Sequence, residues 1–329
     1  MIDFCILGSG VSGSTIANLL KKKYTVEVFD KARGPGGRAS NKKFKNNFNF
    51  DHGAQYISPK TKEFEKFIKE LTEKKILKKW KGNHLDLTFQ KKDFKEKYIG
   101  KKSNNDICKH QLKKIKQNYL SHISNINKKK NYWEITLLNK TKLKSKGLII
   151  TFPYPQLIKI AKKYLNQKVL NLNVKMKPNI TVMIAFKNSK NIPVSSIKFN
   201  DEILSWAANE NSKGRFKSNT SLWTLQSSIG WALKNINLYK DNKKISKILQ
   251  SRFLKLTGFD KKKIVSAKIH GWKYSYNFNS TNIDSYWDKK KAIGICADWF
   301  LGPKIENAWQ SANSLSKKIK KNPLSNKRV

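Results

Sequence analysis

The run "IDFCILGSGVSG" over residues 2–13 constrains this chain more than any other part of it. Residues 2–8 are an apolar stretch halted by a glycine, the pattern of a buried strand. Residues 13–22 then place Ile16, Ala17, Leu19 and Leu20 at helical spacing, and "TVEVFD" (25–30) alternates as a second strand. Strand, glycine loop, helix and strand form a βαβ unit. The loop itself, "GSGVSG" (8–13), matches G-x-G-x-x-G in that context. Gly8 suits the tight turn, Gly10 lets a pyrophosphate approach the backbone, and Gly13 lets the helix pack on the strand. Ser9, Val11 and Ser12 complete the loop, and the free N–H groups of the helix N-terminus face the phosphates. Asp30 closes the second strand 17 residues after Gly13. A carboxylate there accepts hydrogen bonds from a ribose diol and favours a free 2′-hydroxyl over a 2′-phosphate. The glycine pattern alone is weak, and the strand–helix context with Asp30 is what strengthens it.

At 329 residues the chain is long enough for one or two domains. No stretch reaches about 18 consecutive apolar residues, so no membrane span is expected. The apolar start lacks a basic region and runs straight into glycines, which reads as a strand rather than a secretory signal. Cys5, Cys108 and Cys296 are isolated from one another, with no disulfide framework or metal spacing, as suits a reducing, cytoplasmic setting. Residues 61–80 carry Phe64, Phe67, Ile68, Leu71, Ile76, Leu77 and Trp80, an amphipathic helix or two. Residues 131–138 and 140–153 read as a hairpin feeding a buried strand, halted by Pro153 and Pro155. Residues 178–186, 203–208, 221–228 and 264–272 read as strands, 243–257 as a helix and 291–300 as a buried strand. A final helix carries Ile305, Ala308, Trp309, Ala312, Leu315 and Ile319 on one face. A βαβ unit and a C-terminal strand–helix pair thus flank a long β-rich middle. The expectation is an α/β chain in two domains: residues 1–60, 97–160 and 288–320 in the first, 61–96 and 161–287 in the second, and a basic, frayed tail at 321–329.

The formal net charge is +47. Such a charge raises the prospect of a polyphosphate partner or an anionic membrane face. Two features favour a compositional bias toward Lys and Asn instead. Only five of the 69 basic residues are arginine, the side chain whose planar fork suits phosphate and base edges. The lysines also run from end to end rather than in one stripe. No specific nucleic-acid site is expected, although the field favours anionic ligands and non-specific polyanion binding.

A second glycine turn, "RGPGGR" (33–38), follows Asp30, and a simple NAD dehydrogenase needs none there. With "GSGVSG", "VFDKARGPGGR" and "FDHGAQYIS" together, the sequence resembles the renalase-like FAD-dependent oxidoreductases of the flavin amine oxidase superfamily. The resemblance continues through "KYIG" (97–100), "LIITFPYPQ" (148–156), "WTLQSSIGWA" (223–232), "HGWKYS" (270–275) and "ICADWFLGPKIENAWQSA" (295–312). It implies a Rossmann-type FAD-binding domain, a parallel sheet with helices, and a β-sheet-rich substrate domain. It implies non-covalent FAD, because no cysteine sits in a covalent-flavin motif and Cys296 reads as a buried strand residue. Gly8, Gly10 and Gly13 would hold the pyrophosphate. Asp30, beside Lys31, would bind the adenosine ribose, and Gly36, Gly37 and Arg38 would cover the phosphates and ribityl chain. Ile123 would meet the adenine through its backbone. Asp298, beside Trp299, would hold the ribityl end, and Ile305 would offer an N–H to the flavin pyrimidine. The sequence departs from the pattern at Ala297, where the family has Gly, and at Lys273, where it has Arg.

The same resemblance gives a meaning to "NFDHGAQYIS" (49–58), where Asp51, His52, Gln55 and Tyr56 surround Gly53 and Ala54. Gly53 and Ala54 would be small because the segment runs against the flavin, leaving His52, Gln55 and Tyr56 to the ring edge and the substrate. His270, Trp272, Lys273 and Tyr274 are further candidates for the substrate pocket. Trp206 and Trp223 read as sheet core, and His84, His110 and His122 as surface or loop residues. No Ser/His/Asp set or metal spacing is evident, so no metal is expected and no catalytic acid–base pair is required. The implied reaction is hydride transfer to flavin N5 from a small donor, NAD(P)H or another reduced nicotinamide or isomer, with oxygen or another acceptor taking the electrons. Amine oxidation is the alternative within the superfamily, and a polyanion-binding flavoprotein is the alternative outside it. Membrane-bound desaturation would need an apolar entrance helix, and 61–80 is an ordinary amphipathic one.

Overall fold

A computed structural model describes residues 1–44, 48–187, 193–216, 219–240 and 243–324. The chain divides into two compact units. The first comprises Met1–Gly37, Ile107–Met176 and Asn277–Val329, and the second Arg38–Asp106 and Lys177–Tyr276. Residues 38–60 and 97–106 therefore belong with the second unit, and 161–176 and 277–287 with the first, unlike the boundaries drawn from sequence. Of the tail, 325–329 lie outside the described residues.

The first unit is built on a sheet in the order Ile123–Lys128, Trp133–Leu137, Lys142–Ile150, Ile2–Leu7, Val26–Phe29, Lys116–Asn118. The last four strands run parallel, the first two add an antiparallel meander, and Ile293–Ile295 joins Lys142–Ile150 in parallel. Both faces are buried, which explains why residues 2–8 show no polar alternation. Phe4 and Ile6 pack with Ile16, Ala17 and Leu20 of the helix Val11–Leu20 and with Leu315 and Ile319 of the helix Ile305–Lys321. Cys5 and Leu7 point the other way, toward Trp133, Ile135, Leu148 and Leu157. The expected strand at 291–300 ends at Ile295, and Asp298–Phe300 is a 3-10 turn. The three cysteines are buried, and burial pushes the Cys108 thiol up to about 12 and that of Cys296 higher still, so neither favours its thiolate.

The second unit carries a seven-stranded sheet in the order Ile264–Tyr276, Lys177–Lys187, Thr220–Ser227, Leu204–Asn209, Ser196–Lys198, His84–Asp86, Lys91–Lys92. Strand alternation splits it into two faces of different chemistry. Val182, Ile184, Phe186, Trp223 and Leu225 pack on Leu249 and Phe253 of the helix Lys243–Thr257. Thr181, Thr224, Gln226, His270 and Trp272 occupy the opposite face, where several of them meet residues 51–56. The expected helix over 61–80 is shorter, Lys62–Glu73. Lys75 turns the chain with a positive φ of 56°, and Leu77–Lys79 pairs as a strand with Tyr98–Gly100. His84 is not a surface residue. It is buried on a strand, 2.8 Å from Ser196 Oγ through Nδ1.

Candidate functional site

In the first unit the two glycine turns of the sequence come together. Gly36 N–H donates to Ser9 O at 3.0 Å, and Gly10 and Gly36 form an isolated bridge. Gly37 has a φ of +52°, and a Cβ on it would lie 3.2 Å from Gly10 Cα, so both conformation and space call for glycine. A Cβ on Gly10 would find Gly37 Cα at 3.8 Å and Gly36 O at 3.9 Å, which is ordinary contact. Gly13 is required for a different reason: its Cβ would fall 1.9 Å from Gly8 O. Gly8, tucked against Thr151, donates its N–H to Phe29 O at 2.8 Å.

Gly10 is the N-cap of Val11–Leu20, and no side chain caps that helix. Its first turn thus presents N–H groups and the positive end of the dipole beside the two facing glycine turns. Ser9 is oriented by Asp30, whose Oδ2 accepts from Ser9 N at 2.7 Å and Ser9 Oγ at 2.6 Å, while Oδ1 accepts from Ala32 N at 2.8 Å. Ser12 Oγ donates to Ala308 O at 3.0 Å, tying the first helix to the last. Lys31 is exposed. Asp30 N–H donates to Asn118 O, and Asp30 O accepts from Ser121 N, two residues before Ile123 opens its strand. That route brings the Ile123 backbone toward the acid although the two are far apart in strand order.

Asp298 is buried at the head of its 3-10 turn. The Trp299 indole is core, stacked on Phe300 and donating from Nε1 to Phe152 O at 3.0 Å, so its side chain is engaged inside the unit. Ile305 begins the last helix, whose N-cap, Lys304, gives it no side-chain cap. An uncapped helix, two facing glycine turns and an acid at the second strand's end together suit a dinucleotide.

In the second unit the segment 51–56 is held by its carbonyls. Asp51 O accepts from Gln55 Nε2, and His52 O accepts from Trp272 Nε1 at 2.8 Å. Gly53 O accepts from Gln55 Nε2 at 3.0 Å and Gln226 Nε2 at 2.8 Å, and Ala54 O from Asn104 Nδ2 at 2.8 Å. The small residue at Gly53 has a cause inside the unit, because a Cβ would fall 1.9 Å from Arg38 O and 3.3 Å from the Trp272 ring. Ala54 N–H donates to that same Arg38 O at 2.8 Å, and Arg38 Nη1 donates to Ser275 O at 2.9 Å.

His52, His270 and Trp272 form a close ring group, with His52–His270 at 4.8 Å, His52–Trp272 at 5.0 Å and His270–Trp272 at 4.4 Å between centroids. His52 Nδ1 is buried without a hydrogen-bond partner among the described residues. Burial, then His270 and Lys42, lowers the His52 pKa to about 3, and burial with Lys42 and Lys240 lowers that of His270 to about 4. Both rings are neutral at physiological pH. Lys273 is exposed and does not join this group, and Tyr274 is half-buried beside it on the strand. Tyr56 packs instead with Trp80 and Trp206, with Lys97 Nζ 5.3 Å from its ring centre. Trp223 is core, whereas Trp206 belongs to this second aromatic group.

Sequence reasoning missed the charged group beneath the segment. Asp51, Glu210, Lys213 and Arg215 are all fully buried side chains in contact. Burial alone would raise the Asp51 carboxyl, but Lys213 and Arg215 override it and hold it well below the usual range; for Glu210 burial wins and the pKa is raised. The one signal in the sequence was "KGR" at 213–215, which holds one of only five arginines. Among the described residues no group of three or more His, Cys, Asp or Glu could hold a metal ion, and no helix is long and apolar enough to cross a membrane.

A family profile described as an NAD(P)-binding Rossmann-like domain matches residues 6–71. An uncharacterized protein of Methanocaldococcus jannaschii is 29% identical over 211 residues, covering 55% of this chain and 57% of that protein, so the match spans little more than half of the relative. Among solved structures, a protein of Exiguobacterium sp. 255-15 assigned as a protoporphyrinogen oxidase superimposes with a TM-score of 0.74 at 8% identity, over 97% of this chain and 98% of that one. Putrescine oxidase bound to putrescine superimposes with a TM-score of 0.72 at 9% identity, over 97% and 99%. At such identities the likeness establishes the fold: a Rossmann-type α/β unit with a second, sheet-based unit, as in these oxidases.

Proposed function

We propose that this protein is a renalase-like, FAD-dependent oxidoreductase that takes a hydride from a small donor, a reduced nicotinamide species or an isomer of one, and passes the electrons to oxygen or another acceptor. The observation that carries this reading is the facing pair of glycine turns at the uncapped helix N-terminus, with Asp30 fixed beside them. Side-chain-free backbone at the positive end of a helix suits a pyrophosphate. We assign the dinucleotide to the first unit and the substrate to the second. Bound FAD supplies a hydride acceptor at N5. The chain supplies the rest. Gly10 and Gly37 admit the phosphates, Asp30 receives the ribose, and the Ile305 helix terminus offsets negative charge gained by the ring.

In the second unit we assign His52, His270 and Trp272 to the substrate. His52 and His270, both neutral, act there as hydrogen-bonding and shaping groups rather than as cationic acids. Tyr274, on the same strand as His270 and Trp272, adds aromatic wall. A second reading, amine oxidation, draws support from the fold of putrescine oxidase. Charge weighs against it, because a chain of net charge +47 repels a cationic amine and steers an anionic dinucleotide inward.

Anaerobic mixing of the purified protein with NADH, NADPH, their 2- and 6-dihydro isomers and simple amines tests both readings. Bleaching of bound flavin by a nicotinamide species supports the first, and bleaching by amines alone supports the second. A protein that neither carries nor rebinds FAD would defeat both.

A further inference from the structure

The buried charges of the second unit form a connected device. Lys213 Nζ donates to Asp51 Oδ2 at 2.9 Å and to Gln55 Oε1 at 3.3 Å, and pairs by charge alone with Glu210 Oε2 at 2.9 Å, an oxygen that accepts no hydrogen bond among the described residues. Arg215 pairs with the same Asp51 Oδ2, donates from Nε to Gly100 O at 3.0 Å and from Nη2 to Asn104 Oδ1 at 2.9 Å. Asp51 Oδ1 accepts from Asn104 N at 3.0 Å and Asn41 Nδ2 at 3.2 Å, and Glu210 Oε1 accepts from Thr224 Oγ1 at 2.6 Å. Two acidic and two basic side chains thus meet in one buried group.

Such a group is a poor device for stability alone, because a well-packed apolar replacement is often as stable or more so. What it adds is direction. An ammonium only donates, so Gln55 must turn Oε1 toward Lys213 and Nε2 toward the carbonyls of Asp51 and Gly53. Asn104, itself fixed by Arg215, then holds Ala54 O. We infer that Lys213 is a positioning residue, which through Asp51 and Gln55 fixes the backbone of residues 51–54 and so holds the His52 ring against His270 and Trp272.

The effect on flavin chemistry rests on the function proposed above, but the effect on His52 does not. The test uses a double variant, Glu210→Gln with Lys213→Met, which removes one acidic and one basic group, and Gln55→Leu, which leaves all four ionisable groups and removes only the link. The His52 ring is followed by nitrogen-detected NMR of histidine-labelled protein between pH 5 and 7, and thermal melting reports folding. In the parent, His52 stays neutral through this range. In both variants the freed segment is expected to let water reach His52, raising its pKa by about two units or more, into the range followed. In flavin-loaded protein the visible band shifts and the reduction rate constant falls about 10- to 100-fold, as loss of positioning does. If the variants melt like the parent and leave His52 neutral and the flavin band unmoved, the charges are structural and the inference is overturned. Should one variant fail to fold, the other decides on the same His52 readout. A parent that binds no flavin defeats the proposed function, while the His52 measurement still judges Lys213.

Discussion

Gly10→Ala separates the folding role of the glycine loop from its ligand role. The backbone of Gly10 has φ −70° and ψ −172°, a conformation alanine adopts without strain. Its Cβ would meet nothing closer than Gly37 Cα at 3.8 Å. Two small effects then oppose each other. Alanine is a poorer N-cap than glycine, by up to about 1 kcal/mol. It also reduces the freedom of the unfolded chain, a gain of about 0.4–1 kcal/mol. The ligand-free protein should therefore unfold in urea within about 1 kcal/mol of the parent. The new methyl nevertheless projects toward the Gly36–Gly37 turn, into the space that the proposed function gives to a pyrophosphate. FAD affinity, measured by flavin fluorescence quenching, should fall by at least about 100-fold, the equivalent of about 2.7 kcal/mol. Gly13→Ala is the control. Its Cβ would sit 1.9 Å from Gly8 O, so helix and strand must separate, and both stability and affinity should drop. Unchanged FAD affinity in Gly10→Ala would refute the placement of the phosphate cleft, and a large loss of ligand-free stability would refute the steric argument.

Other outcomes follow from the buried groups. Asp51→Asn leaves Lys213 and Arg215 with Glu210 alone, and should lower urea stability by about 3–5 kcal/mol; a loss below about 1 kcal/mol would show that the pair is not closed in solution. The folded-state pKa values of His52 and His270, about 3 and about 4, lie below the unfolded value near 6.5, so the unfolded chain binds protons first on acidification. Their contribution to stability is present above about pH 6.5 and is lost as the pH falls toward 4 and 3. The double variant His52→Gln, His270→Gln should flatten the pH dependence of the urea midpoint in that window, and an unchanged slope would place the acid sensitivity elsewhere. Binding to heparin should be strong at low salt and fall steeply with added salt. Sequence-selective RNA or DNA binding that survives physiological salt would instead favour a nucleic-acid partner.

The amino-acid order by itself determined the first βαβ unit, because its signals are local. An apolar run buried on both faces, a glycine spacing and a closing acid lie within 30 residues, and the structure assembles them as strand, turn, helix and strand. The same holds for the long strands and helices, whose apolar positions recur at fixed periods. Signals failed where one short stretch fits two periods, as at 76–80, where apolar residues that would continue a helix pair as a strand once Lys75 turns the chain. Only the tertiary structure decided the meaning of "NFDHGAQYIS". Gly53 is small first of all because Arg38 O and Trp272 occupy its side-chain space, and Gln55 is turned inward to Lys213 rather than outward. Lys213 lies 162 residues from Asp51, one lysine among 64 that look alike in the sequence. Hydrogen bonds and ion pairs leave no period along a chain. Which lysine loses its water and gains fixed acceptors is settled only when the strands that carry it close over the acid.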